Sequence, residues 1–116
     1  MRIDYVYKIC TKKEWGEFKH LKYWKGSKKD IEDGYIHLSS KQQVNQTLKL
    51  YFSNQKNLIL LILKTDTLNN LVWEKSTNDE SYPHLYSNLQ LESVLDSKEI
   101  IGDPVSYTHL RAHETT

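Results

Sequence analysis

The alternation and clustering of apolar positions lays out most of this chain. Tyr5 to Cys10 is rich in β-branched and aromatic residues and predicts a first strand. Thr11 follows, with Glu14 three residues on. That spacing is a capping box, in which the hydroxyl meets a free helix N–H and the carboxylate reaches back. Trp15, Phe18 and Leu21 supply an apolar stripe, so a helix is expected over about residues 12–20. Trp24-Lys25-Gly26-Ser27 is a break, and Lys28 to Gly34 reads as a polar loop with room for one short turn. Tyr35 to Ser39 predicts a second strand. Ser40 and Gln43 repeat the capping-box spacing, and Val44, Leu48 and Tyr51-Phe52 mark one face of a helix over about 41–53.

Leu58 to Lys64 is an uninterrupted apolar run between polar segments. Such a strand is buried on both faces and belongs in the middle of a sheet. Thr65 to Asn70 is a turn or a single helical turn, and Leu71 to Glu74 is a further strand. Tyr82 to Tyr86 is extended, with Pro83 pointing to a sheet edge or a strand start. Leu89 to Leu95 mixes turn and strand, and Glu99 to Ile101 closes the pattern. The order is β-α-β-α-β followed mostly by β. It predicts a small α+β single domain with two helices in the N-terminal half against the sheet. The four glycines, Gly16, Gly26, Gly34 and Gly102, form no phosphate loop, which excludes dinucleotide folds of the GxGxxG type and P-loops.

The chain has 116 residues, enough for one core. Val105 to Thr116 has neither helix nor strand period and resembles translated vector or adapter read-through. The expected organisation is therefore one domain over 1–104 and a disordered, non-native tail over 105–116, which removes His109 and His113 from any metal argument. Lys plus Arg is 16 against Asp plus Glu of 15. Balanced charge argues against a sequence-independent nucleic-acid binder, which needs a basic face. The lysine-rich first quarter is followed at once by Asp30, Glu32 and Asp33 and reads as a solvated, compensated face. The lone Cys10 permits no internal disulfide, fits a reducing compartment and ends an apolar run as a small buried residue. No signal-peptide pattern opens the chain, and Leu58 to Leu63 is too short to span a bilayer. A cytoplasmic globular protein without a membrane partner is expected.

Three polar groups sit where an apolar residue would be simpler: His37, Glu74 and His84. By the two-residue period, Tyr35, His37 and Ser39 share one strand face, opposite Ile36 and Leu38. That polar face combines a π-surface with hydrogen-bonding groups, as the wall of a ligand cleft does. Each residue also has a plain structural reading: a strand histidine bonded to backbone, an exposed carboxylate at a strand end, a local role beside Pro83. No HxxxH or CxxC spacing occurs within 1–104, so no metal is expected. His37 is too close in sequence to Ser39 and Ser40 for a hydrolase triad, and Ser40 serves better as a helix cap.

Several separated segments resemble, in order and spacing, the bacterial domain-of-unknown-function 952 family. They are Tyr7-Lys8-Ile9 with Thr11 to Trp15, Gly26-Ser27, Asp33 to Ser40 with Gln43, Trp73-Glu74, and Pro83 to Tyr86 with Leu89 and Leu91. The usual pattern has an arginine before Gly26-Ser27, where Lys25 keeps the charge without the bidentate fork. The fold this implies is similar to the ADP-ribosyltransferase-like group, which includes the tRNA 2′-phosphotransferases. It is a bent, split β-sheet with a cleft for NAD or a related nucleotide. The resemblance implies transferase chemistry, ADP-ribosyl or related, with His37, Glu74 and His84 catalytic. It places Tyr7, Lys25, Ser27, Ser39 and Tyr86 around NAD as substrate. In such folds the first core strand carries a His or Arg, whereas this chain offers Tyr7 and Lys8. That departure keeps open a second reading, a non-catalytic ligand-binding or protein-interaction module on the same fold.

Overall fold

The apolar run Leu58–Lys64 forms β4, the central strand of an antiparallel sheet in the order β1-β4-β8, where β1 is Tyr5–Thr11 and β8 is Val94–Ile100. A computed structural model describes residues 4–76 and 79–101. Both faces of β4 are covered, as its composition predicts. Ile59, Leu61 and Leu63 pack with Val6, Cys10, Phe18, Ile36, Leu38, Leu85 and Leu89. Leu58, Leu60 and Ile62 pack on the other side with Tyr7, Ile9, Val44, Leu48 and Ile100. The first core is roofed by α1 (Lys12–Leu21), the second by α3 (Val44–Tyr51). The result is a small α+β single domain with several antiparallel sheets and few helices.

The capping box of α1 forms as read: Glu14 N–H donates to Thr11 Oγ1 at 3.0 Å, and Thr11 N–H to Glu14 Oε1 at 2.8 Å. Phe18 is fully buried and Trp15 packs edge-on against it at 5.5 Å, but Leu21 is exposed. It lies about 120° round the helix from Trp15, off the stripe. Ser40 N–H donates to Gln43 Oε1 at 2.9 Å, and a 3₁₀ turn over Lys41–Gln43 leads into α3.

Residues 28–34 are not a loop. Lys28–Asp33 is a six-residue helix, α2, so the described residues hold three α-helices where two are expected. The reason is local chemistry: Ser27 and Asp30 form a second capping box, and Gly34 closes the helix in the left-handed region at φ 89°. The expected strand 35–39 is correspondingly shorter. Regular pairing is confined to β3, Ile36–His37. Tyr35 N–H turns back to Asp30 O, Leu38 N–H crosses to Pro83 O at 3.0 Å, and Ser39 exchanges both backbone hydrogen bonds with Tyr7.

A second three-stranded antiparallel sheet has the order β3-β6-β5, with β5 at Leu71–Lys75 and β6 at Ser81–Leu85. A two-stranded pair joins β2 (Tyr23–Trp24) to β7 (Leu89–Gln90). Pro83 is thus in the middle of a central strand, against the expectation of a sheet edge or a strand start. Its carbonyl points toward Leu38, and in a strand the nitrogen points the same way. The missing N–H falls just past the end of β3 and costs the β5 ladder nothing. The expected tail, 105–116, lies outside the described residues. Among those described, no helix is long and apolar enough to cross a membrane.

Candidate functional site

Register builds one polar face on this second sheet. His37 pairs with His84, Val72 also pairs with His84, and Glu74 pairs with Tyr82. Directly opposed residues project to the same side, and so do positions two apart. Tyr35, His37, Glu74, His84 and Tyr86 therefore share a face, while Ile36 and Leu85 point into the core. The contacts agree. The Tyr35 ring stacks on His84 with centroids 4.1 Å apart and an angle of 24°. It also lies 4.6 Å from His37 and 5.3 Å from Tyr86. The two imidazoles meet edge to face at 5.7 Å.

Each histidine is held by carboxylate. His84 Nδ1 lies 2.6 Å from Glu74 Oε1, and the Tyr86 hydroxyl donates to the same oxygen at 2.7 Å. The Tyr86 hydrogen bond, with that of His84 behind it, lowers the Glu74 pKa from the usual carboxylate range. Its mirror effect pushes the Tyr86 phenol up to about 12. Tyr35 is also raised, by partial burial first and then by the charges of Asp33 and Glu74. An ionised Glu74 accepts only, so His84 donates from Nδ1 and its Nε2 points away from the carboxylate. Among the described residues, Nε2 has no hydrogen-bond partner.

His37 is gripped harder. Its Nδ1 lies 2.5 Å from Asp30 Oδ1 and its Nε2 3.0 Å from Asp33 Oδ2. Asp30 is 2 % exposed, and every approach to it is occupied. The backbone N–H of His37 donates to Oδ1 at 3.1 Å. On Oδ2 converge the Ser27 N–H at 2.9 Å and the Lys8 ammonium at 2.8 Å. Burial alone would raise the Asp30 pKa. The hydrogen bond from His37, the Lys8 charge and the Ser27 N–H outweigh it and hold the carboxyl far below its ordinary range. Lys8, itself buried, also donates to the His37 carbonyl at 3.0 Å.

The residues named from sequence thus separate. His37, Glu74, His84 and Tyr86 come together. Tyr7 does not: it lies on the other side of β1 from Lys8 by the strand period, 2 % exposed against Val44 and Leu48. Ser39 is drawn into the interior, where its hydroxyl bonds Thr47 Oγ1 at 2.8 Å, because the regular strand ends at His37. Ser27 caps α2 through Asp30, and Lys25 is exposed on the loop before it. Tyr35 was read as part of the polar face and stands at its centre. Lys8 and Asp30 were missed as parts of the site. The signal for Asp30 was its S-x-x-D spacing to Ser27, hidden within a run of charges.

Gly26 makes the arrangement sterically feasible. Its φ is +101°, and a Cβ there would stand 2.6 Å from Asp30 Cβ and 2.7 Å from Asp30 Oδ2. Gly26→Ala is expected to cost at least about 1–2 kcal/mol from the backbone conformation alone. Displacement of Asp30 adds to that, and thermal unfolding would show a lowered Tm. An unchanged Tm would mean that Asp30 does not need this space.

Two surface hollows, of about 270 and 540 Å³, are lined by the 55–58 segment with the end of β8, and by α1. Neither takes in the His37–His84 face, which is an open aromatic surface. Among the described residues, no three His, Cys, Asp or Glu side chains are arranged to hold a metal ion.

Comparison with known proteins places this geometry among relatives. Residues 9–97 match the family model described as "Protein of unknown function (DUF952)". The X-ray structure of protein CC0527 from Caulobacter crescentus is 33% identical, with a TM-score of 0.86, over 97% of this chain and 99% of that one. The solution NMR structure of CC0527 is 34% identical with a TM-score of 0.79, covering 94% and 95%. No curated protein matches.

Proposed function

The chain belongs to the DUF952 family, and from that premise we propose that the Tyr35–His37–His84–Tyr86 face binds NAD or a related nucleotide for ADP-ribosyl-type transfer. The observation that carries this reading is the Glu74–His84 pair under the Tyr35 ring. The carboxylate holds Nδ1 as the donor, Nε2 has no hydrogen-bond partner among the described residues, and aromatic surface lies alongside. The same reading draws on the expectation that the family's fold is similar to the ADP-ribosyltransferase-like group.

A flat heteroaromatic ring fits a face made of tyrosine and imidazole rings, since stacking asks only for a π-surface. Exposed Lys25 supplies a counter-charge for the diphosphate. His84 Nε2 takes the proton of an acceptor hydroxyl as its oxygen bonds to C1′ of the ribose. The C1′–N bond breaks and nicotinamide leaves with the bonding pair. Glu74 steadies the imidazolium that forms and lends negative charge near an oxocarbenium-like centre. His37, with both ring nitrogens tied to Asp30 and Asp33, presents the surface of its ring to the nucleotide.

One observation favours the second reading, a binding module without turnover. Lys8 stands on the strand where the transferases carry His or Arg, and it is buried on Asp30 rather than turned to a ligand.

Calorimetric titration with NAD, alongside an assay for released nicotinamide, tests both. Binding is expected, weakened about tenfold, or about 1.4 kcal/mol, by His84→Ala. Release that persists in His84→Ala would overturn the proposed base. Binding with no release in any acceptor mixture would leave the module reading standing. No binding at all would defeat both nucleotide readings.

A further inference from the structure

We infer that the buried Lys8–Asp30 pair is a positioning device: it locks the imidazole and backbone of His37 onto the aromatic face, and Gly26-Ser27 is the cradle that seats it. The lock stands on geometry alone; its use in binding rests on the nucleotide reading above.

Removing a carboxylate and an ammonium from water is costly, and apolar residues of similar volume often do as well or better for stability. Here the pair lies at the point where β1, the α2 cap and β3 meet. Its bonds converge on one residue. Asp30 Oδ1 holds both the N–H and the ring Nδ1 of His37. Lys8 Nζ, on the other carboxylate oxygen, reaches round to the His37 carbonyl. Three atoms of His37 are thereby fixed from the interior, while its ring is still 32 % exposed. An ordinary core pair would touch many neighbours or none in particular. The surroundings are adapted to the same end. Ser27 gives its N–H to Oδ2, and Gly26 leaves out the side chain that would collide with the carboxylate. The α2 capping box thus does more than start a helix: it aims a carboxylate through the helix at the next strand. A second anchor, Asp33 on Nε2, comes from the last turn of the same helix, so α2 holds both edges of the imidazole.

Lys8, Asp30 and Gly26 touch no ligand in this scheme. They act through His37, so their test reads the ring itself. In ¹⁵N-resolved imidazole NMR spectra of the full chain, wild-type His37 is expected to carry a slowly exchanging Nδ1 proton. An averaged or Nε2-only ring in the wild type would overturn the inference without any variant. In Asp30→Asn the bond loses its charge assistance, and that resonance is expected to shift upfield and exchange faster. In Lys8→Met/Asp30→Ala it is expected to vanish, while the His84 Nδ1 resonance stays in place as an internal control. The double variant is expected to melt higher than Asp30→Ala alone, because no unpaired ammonium is left buried, yet not to recover the His37 resonance. Persistence of the wild-type His37 resonance in both variants would refute the lock. If His37 behaves as expected and NAD nonetheless fails to bind, the nucleotide reading falls and the lock remains.

Discussion

Asp30→Ala is expected to destabilise the fold by about 3–5 kcal/mol, the range for breaking a buried ion pair from one side. The substitution leaves the Lys8 ammonium buried without its carboxylate. It also strips the Ser27 and His37 N–H groups of their acceptor, which removes one half of the α2 capping box. Urea unfolding should show a lower midpoint at an unchanged slope. A loss below about 1 kcal/mol, the worth of an exposed pair, would mean that the network is solvated in solution. The same residue sets an acid limit. Its pKa is depressed in the folded state, so its contribution is complete above the unfolded carboxylate value of about 4. That contribution drains away as pH falls below that value toward the folded one. Wild-type stability should decline through this window, and Asp30→Asn should flatten the decline.

Leu61→Ala is expected to cost about 2–5 kcal/mol. Leu61 is fully buried on the central strand, among Val6, Phe18, Leu85 and their neighbours in the first core. Leu61 is paired on both sides, with Lys8 of β1 and Ser97 of β8, so the backbone has little freedom to collapse into the cavity. Leu95, 54% exposed on β8, is the matched control: Leu95→Ala should change stability by no more than about 0.5 kcal/mol. Comparable losses at the two positions would contradict the double-sided burial of β4.

Residue pattern carried much of this architecture and little of its exceptions. The run Leu58–Lys64 could be read as a central strand because six consecutive apolar residues have no solvent face to spare. Helix α1 was legible because Thr11 and Glu14 are mutual partners within one turn. Helix α2 was not, since a six-residue helix shows barely one period, and its cap, Ser27-x-x-Asp30, is crowded by lysines and acids. Pro83 misled for a related reason. Proline forbids one donor, but which neighbour loses it depends on the direction of the carbonyl, and only the pairing of β6 with both β3 and β5 decides that.

The candidate site divides the same way. The two-residue period placed Tyr35 with His37, and His84 and Tyr86 stand two apart in the same way. Sequence by itself therefore determined which side chains are polar against the local pattern, and that Ile36 and Leu38 turn the other way. It could not determine that His37 lies opposite His84, because register across 47 positions is set by the packing of both apolar faces and not by any local signal. Nor could it show that Lys8 and Asp30 stand behind His37 while Tyr7 and Ser39 turn inward. A charged residue in an apolar strand is buried only if a counter-charge arrives from elsewhere in the chain. That arrival, across 22 positions, is an event of tertiary structure.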